Sequence, residues 1–247
     1  MAGKTRVDVA LVDRGLVESR AKAQALIMAG VVFSGETKIL KAGQQIKDDA
    51  PLDVRGKDHP WVSRGGLKLE KGLTEFSVDA NGAVVIDVGA STGGFTDVAL
   101  TNGASRVYAV DVGSGQLAWK LRQDERVIVL EKTNARYLSD VEIPEPVDLV
   151  VCDASFISLK TVLPAALDLV KQGGQLIALI KPQFEVGREN VGKGGVVRDP
   201  ELHKSVCEDI RAWLDGLGGW KAEGLTESPI KGPEGNVEFL IHGVKHG

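Results

Sequence analysis

The chain has 247 residues, 43% of them hydrophobic and 26% charged, with 5% aromatics and 30 glycines, the profile of a globular protein rich in tight turns. No apolar run approaches the length of a membrane span, and the N-terminus "MAGKTRVDVALVDRG" scatters charge where a leader would need an apolar stretch. A net charge of −4 argues against indiscriminate coating of nucleic acid, although residues 1–60 hold ten Lys/Arg against eight Asp/Glu and the rest 20 against 26, which places any nucleic-acid contact at the N-terminal end.

In chain order, residues 6–17 put Val7, Ala10 and Leu11 at helical spacing and stop at Arg14-Gly15. Ser19 is the expected N-cap of a second helix, "RAKAQALIMAG", with Ala21, Ala25, Leu26 and Met28 inward, Arg20, Lys22 and Gln24 outward, and Gly30 at its end. "VVFSGETKIL" predicts a short hairpin and "QQIKDDAPLDVRG" a further strand with turn residues. About 55 residues of this kind make a module too small to be an enzyme's core.

Residues 59–73, "HPWVSRGGLKLEKGL", read as a joint flowing into a helix, with Trp61 as anchor, a Gly65-Gly66 pair and two candidate functional lysines, Lys68 and Lys71. Trp61 either packs the boundary or couples the two domains. From residue 83 the pattern changes. "AVVIDVGAS", "RVYAVDVG", "RVIVLEKTNA", "VDLVVCDASF" and "GGQLIALIKPQF" are five apolar strands, with helices at "GGFTDVALTNG", "LPAALDLVKQGG" and "HKSVCEDIRAWLDGLG" and a last strand in "GNVEFLIHG". Such alternation predicts a doubly wound α/β sheet that binds ligands at the carboxyl ends of its strands. The expected division is residues 1–58, a linker at 59–66, and 67–247.

The loop "DVGASTGGF", Asp87 to Phe95, is glycine-rich but is neither a dinucleotide fingerprint nor a P-loop: it lacks a lysine and opens on a carboxylate. That suits a ligand with a cationic end, and Asp111, 24 residues on, suits a ribose diol. Together they look like the S-adenosylmethionine site of class I methyltransferases, with Asp87, Gly89, Ser91, Gly93, Gly94, Phe95, Asp111, Asn134 and Asp153 as candidate donor-binding residues. "CDASFISL" lacks the Asn/Asp-Pro-Pro-aromatic motif of amine methylation, and Cys152, inside an apolar strand, suits packing better than covalent attack. A ribose hydroxyl remains as the attractive target, and it demands a base. The candidates are Lys68, Asp153, Lys181 at a strand end, and Glu238. Cys152 and Cys207, with His59, His203, His242 and His246, show no metal-ligand spacing, so no metal is expected, and the cysteine usage suits a reduced, cytoplasmic setting.

Two resemblances join these readings. "RVDVALVDRGLVESRAKAQALIMAGVVFSG" resembles the alpha-L RNA-binding domain, which implies Arg6, Arg20, Lys22 and Lys38 as phosphate contacts; the alternative is a surface helix that needs charge for solubility. "WVSRGGLKL", "GASTGGF", "CDASFISL", "KPQFE", "GKGGVVRD" and "GNVEFL" all resemble, in order, motifs of the TlyA family, which joins such a domain to an FtsJ-like catalytic domain. The resemblance implies 2′-O-methylation of cytidine in ribosomal RNA or ribosomal subunits, with Lys181 as base, Asp153 near the donor, and Lys68 and Glu238 orienting. It also implies a loop at 191–200 that closes over RNA through Lys193 and Arg198, with Arg64 a further contact. The family often carries a haemolysin label, which gives a membrane-lytic protein as one rival reading; a catalytically silent RNA-binding protein and a small-molecule methyltransferase are the others. The sequence offers the first of these no span and no strongly cationic amphipathic helix.

Overall fold

The computed structural model describes residues 3–17, 19–54 and 59–247. The chain forms two compact units, Met1–Pro60 and Trp61–Gly247. The boundary expected after residue 58 falls beside residues 55–58, outside the described residues, and Trp61–Gly66, expected in a linker, belong to the second unit.

The first unit runs β1 (Lys4–Arg6), α1 (Val7–Asp13), α2 (Arg20–Met28), β2 (Val32–Ser34), β3 (Thr37–Lys38), β4 (Gln45–Lys47) and β5 (Asp53–Val54). Val7, Ala10 and Leu11 of α1 meet Ala23 and Ile27 of α2, with Val32, Ile39 and Ile46, in one small core. Ser19 caps α2 as expected, accepting from the Lys22 amide at 3.3 Å. The inward face of α2 differs from expectation: Ala23 and Ile27 are buried while Met28 is 84% exposed, because α2 packs on α1 through a stripe of single spacing i, i+4 rather than through the wider apolar arc. The hairpin β2–β3 is present, pairing Phe33 with Lys38 and Ser34 with Thr37. The segment "QQIKDDAPLDVRG" is two strands in two sheets, β4 on β1 and β5 on β2; the turn at Ala50, whose amide bonds Lys47 O, precedes Pro51, which has no N–H to continue a ladder.

The second unit follows as α3 (Gly66–Glu75), β6 (Val84–Val88), α4 (Gly94–Thr101), β7 (Arg106–Asp111), α5 (Trp119–Arg122), β8 (Val127–Glu131), β9 (Val147–Cys152), α6 (Leu159–Val162), α7 (Pro164–Asp168), β10 (Val170–Ile180), α8 (Pro182–Glu185), α9 (Pro200–Asp215), β11 (Trp220–Glu227) and β12 (Phe239–Lys245). Seven strands order as β11-β12-β10-β9-β6-β7-β8. The five expected strands are parallel, and β12 enters antiparallel between β10 and β11. Period-two alternation divides each buried strand between two cores: Ile86, Val150, Cys152, Leu176 and Ala178 face α6, α7 and α9, while Val85, Leu149, Val151, Ile177 and Leu179 face α3 and α4. The result is three layers, helices on both faces of a doubly wound sheet. β11 was not expected: "WKAEGLTE" has a bulge between Ala222 and Gly224, which breaks the alternation a sequence reading relies on.

The strand order reverses at β6, which pairs with β7 on one side and β9 on the other. A crevice opens at the carboxyl ends of these strands, where the loops after β6, β7, β9 and β10 converge.

Candidate active site

Two cavities occupy that crevice. One, of about 590 Å³, is lined by Ser63, Arg64, Lys68, Phe95, Asp153 and Lys181 among others; the second, of about 460 Å³, by Asp111, Gln116, Thr133, Ala154, Phe156 and their neighbours. They share Gly89, Ser91, Asp153 and Ser155, so the floor of one is the wall of the other.

At that junction stands a chain of four charges. Lys68 Nζ lies 2.7 Å from Glu238 Oε2 and 3.2 Å from Asp153 Oδ2, and Lys181 Nζ lies 2.7 Å from Asp153 Oδ1. Lys181 also donates to Ser155 Oγ at 2.8 Å and to Asp153 O at 3.0 Å. Both lysines and Glu238 are buried, and Asp153 alone keeps an appreciable opening at 20% side-chain exposure. Two cations and two carboxylates make a neutral set, which is how ionised groups persist out of water. The local structure explains the placement. Asp153 and Lys181 terminate the apolar strands β9 and β10, Lys68 projects from the first turn of α3, and Glu238 immediately precedes β12. Lys71, the alternative to Lys68, donates instead to Glu227 O at 2.8 Å and lines neither cavity.

Trp61 is buried, its indole N–H 3.3 Å from Glu70 Oε2. Gly66 is the seat of that ring: a Cβ there would stand 2.5 Å from Trp61 Cγ. Gly66 therefore lets the tryptophan lie on the start of α3, while Gly65 faces Ser63 and Asp153.

The expected donor residues divide. Ser91 and Asp111 line the second cavity; Asp111 accepts from the Ser91 amide at 2.8 Å and from the Gly113 amide at 2.7 Å, and keeps lone pairs for a diol. Gly94 and Phe95 line the first. Gly89 bridges both at φ +82°, where a Cβ would stand 2.9 Å from Ala154 Cα. Gly89→Ala is expected to push the β6 loop off the β9 loop and weaken donor binding by about tenfold or more, equivalent to ~1.4 kcal/mol, measured by calorimetric titration. Gly93, also at positive φ, backs onto Leu117 and Leu121 rather than a cavity. Asn134 caps the turn at Ala135–Tyr137, accepting from the Arg136 amide, while its neighbours Thr133 and Ala135 reach the cavity.

Asp87 lies behind the loop, fully buried, with Thr96 Oγ1 donating to its Oδ2 at 2.6 Å and its Oδ1 without a partner among the described residues. Burial pushes its carboxyl up to about 7 against the hydrogen bond from Thr96. A raised folded value means the folded state holds the proton more tightly, so Asp87 lowers stability as pH rises from about 4 to about 7, by up to roughly 4 kcal/mol at 1.36 per unit. Asp87→Asn is expected to remove this slope, its gain over wild type at pH 8 exceeding that at pH 4.5 in paired urea melts. Cys152 is fully buried in the core and lines neither cavity, and burial pushes its thiol up, as expected of a packing residue.

Basic residues expected on RNA fall into two kinds. Arg6 and Arg20 both grip the fully buried Asp8, Arg6 at 2.9 and 3.0 Å and Arg20 at 3.1 Å, with Gln24 joining at 3.1 Å; Arg6 foremost holds that carboxyl well below the usual range. They carry a structural duty in addition to their exposed N–H groups. Lys22 and Lys38 are exposed. Arg64 lines the first cavity. Lys193 is exposed on a tight turn closed by the Gly192–Val196 bridge, and Arg198 is exposed just beyond it; Asn236 pins the segment, accepting from the Val197 amide and donating to Gly195 O. Sequence reasoning missed Ser155, Ser63 and Lys231; only Ser155 had a signal, its place two residues after Asp153 in "CDASFISL".

The arrangement fits a sulfonium donor: a glycine-rich loop on the crevice, a carboxylate at the next strand end, and a close backbone approach at Gly89. The FtsJ-like methyltransferase family matches residues 61–245. The chain is 47% identical to the 16S/23S rRNA (cytidine-2′-O)-methyltransferase TlyA of Mycobacterium tuberculosis, over 98% of this chain and 90% of that one. A solved chain from Streptococcus thermophilus that carries a hemolysin name is 46% identical, covers 100% of this chain and 90% of its own, and superposes with a TM-score of 0.77. An O-methyltransferase from Bacillus cereus, solved with S-adenosylhomocysteine, shares the fold at 19% identity over 74% of this chain and 82% of its own, with a TM-score of 0.52. With the donor crevice and the charge quartet in place, the chain belongs to the TlyA family of FtsJ-like, S-adenosylmethionine-dependent methyltransferases.

Proposed function

We propose that this protein transfers a methyl group to the 2′-hydroxyl of a cytidine in ribosomal RNA. The observation that carries the reading is the continuous ion-pair chain Glu238–Lys68–Asp153–Lys181 where the two cavities meet. When bound, S-adenosylmethionine supplies an electrophilic methyl group. The chain must then supply position and a proton acceptor. Asp111 and the loop through Gly89 and Ser91 would hold the donor in the second cavity, its reactive end toward Asp153. A ribose entering the first cavity would meet Lys181 at its ion pair with Asp153; once that ammonium has released a proton to solvent, the amine would take the hydroxyl proton as the oxygen gains the methyl and the donor leaves as the neutral thioether. Asp153 aligns Lys181, and Lys68 with Glu238 holds Asp153 from behind.

Phe156, 89% exposed on the rim of the second cavity and packed on Phe184 with ring centroids 5.0 Å apart, offers a face on which an unstacked base can rest. The name of the Mycobacterium tuberculosis relative supports cytidine and ribosomal RNA as the substrate. The exposed Lys22, Lys38, Lys193 and Arg198 and the cavity-lining Arg64 would hold its phosphates. A reaction on ribosomes would be a cytoplasmic one.

The test is incubation of the purified protein with labelled donor and ribosomal subunits, followed by digestion to nucleosides and mass spectrometry. Label in 2′-O-methylcytidine is expected. Label on a base, or none on RNA at saturating donor, defeats the reading.

A further inference from the structure

The loop after β9 carries Asp153, Ser155 and Phe156 and lines both cavities, yet it holds a conformation it would not choose. Phe156 sits at φ +65°, a left-handed backbone that is an outlier for a bulky residue and persists only when its surroundings over-determine it. The five residues from Lys181 to Glu185 provide that restraint at three points. Lys181 Nζ holds the near end through Asp153 O and Ser155 Oγ. The ring of Phe184 lies against that of Phe156. At the far end Glu185 accepts from Ser158 Oγ at 2.6 Å and from the Leu159 amide at 2.8 Å. Ser158 Oγ in turn accepts from the Lys160 amide at 3.2 Å, so one hydroxyl ties the end of the loop to the start of α6.

Glu185 is half-buried and lines neither cavity, so it cannot touch a reacting group there. Its neighbours Lys160 and Asp209 already satisfy each other at 2.6 Å, and burial raises the carboxyl, which marks its two hydrogen bonds as the return on an otherwise unfavourable placement.

We infer that Glu185 is a positioning residue, the far jaw of a clamp whose near jaw is Lys181, and that it sets the loop so that Asp153 and Phe156 present their side chains to the crevice. The inference rests on the methyl-transfer reading and adds to it a residue that acts through the loop alone. Because the loop is clamped at both ends by one short segment, the placement of Lys181 and that of Phe156 are mechanically linked.

The experiment compares wild type with Glu185→Leu, Glu185→Gln, Ser158→Ala and the double variant Glu185→Leu, Ser158→Ala in methyl transfer to ribosomal subunits, and in hydrogen exchange of the peptide spanning 153–160 in the protein without donor. Glu185→Leu is expected to lower kcat by about tenfold or more, since a misplaced group costs rate, while KM for the subunits stays within about threefold because phosphate contacts are untouched. Its 153–160 peptide should exchange faster. Glu185→Gln, which keeps one carbonyl acceptor, should recover part of the rate, and Ser158→Ala should add nothing on the Glu185→Leu background. Full kcat per folded molecule, or unchanged exchange of the loop, overturns the inference. Should Glu185→Leu not fold, Ser158→Ala alone decides by the same two readouts. A wild type that transfers no methyl to RNA defeats the functional reading instead, and loop exchange then decides the clamp.

Discussion

Lys181→Ala is expected to cut methyl incorporation into ribosomal subunits by about 10²- to 10⁴-fold, the range that a positioned proton acceptor contributes, while the protein stays folded and keeps its donor affinity. The reason lies in what the substitution leaves behind. Asp153 loses one cation but keeps Lys68 at 3.2 Å, and its side chain retains 20% exposure, so no charge is stranded in the core. The hydroxyl of Ser155 and the carbonyl of Asp153 lose a donor at the edge of a water-accessible cavity, where solvent can replace it. Lys181 touches the second cavity only at the Asp153 and Ser155 that it shares with the first, while its far lining, Asp111, Gly113, Gln116 and Thr133, makes no contact with Lys181. Activity and stability should therefore separate. Single-turnover transfer, a thermal melt and a calorimetric titration on one preparation check all three, and methyl incorporation near the wild-type level removes Lys181 from the mechanism.

Lys68→Met is expected to behave in the opposite way, with a loss of stability of about 3–5 kcal/mol as well as of activity, because it leaves a buried carboxylate unpaired. Glu238 has no exposed side-chain surface, its Oε2 depends on Lys68 at 2.7 Å, and its Oε1 already lacks a partner among the described residues. For a unit of this size each kcal/mol corresponds to roughly 2–4 °C in Tm. The double variant Lys68→Met, Glu238→Leu removes both charges together, and replacing a buried pair by apolar groups is close to neutral. It should recover most of the stability and none of the activity. Denaturant melts of the two single variants and the double form a cycle with a large coupling energy. Additive losses would show that Lys68 and Glu238 do not act as a pair.

How much of this was legible before folding follows from what each signal depends on. Strands β6 to β10 were readable because a parallel strand buried on both faces must be apolar throughout, and "AVVIDVGAS" and "VDLVVCDASF" are. The cap at Ser19, the hairpin turn at Gly35 and the βα turn at Gly89 were readable because they are local chemistry, settled by residues within a few positions of one another. Asp153 and Lys181 were readable as crevice residues because a charge at the end of an apolar strand has few other reasons to be there. Family motifs brought in Lys68 and Glu238.

Composition and local pattern thus committed the chain to its layers and to its crevice, and the family motifs pointed to the chemistry. Tertiary contact alone decided the rest. It chose Lys68 over Lys71, because a helix brings one lysine to the crevice and turns the next toward Glu227 O. It turned Arg6 and Arg20 into partners of Asp8 across 2 and 12 residues of chain, and it set Asp87 behind its loop rather than in it. It paired Glu185 with Ser158, 27 residues away. Each of these depends on a direction in space, in most cases between residues far apart along the chain, and a one-dimensional pattern carries no such direction.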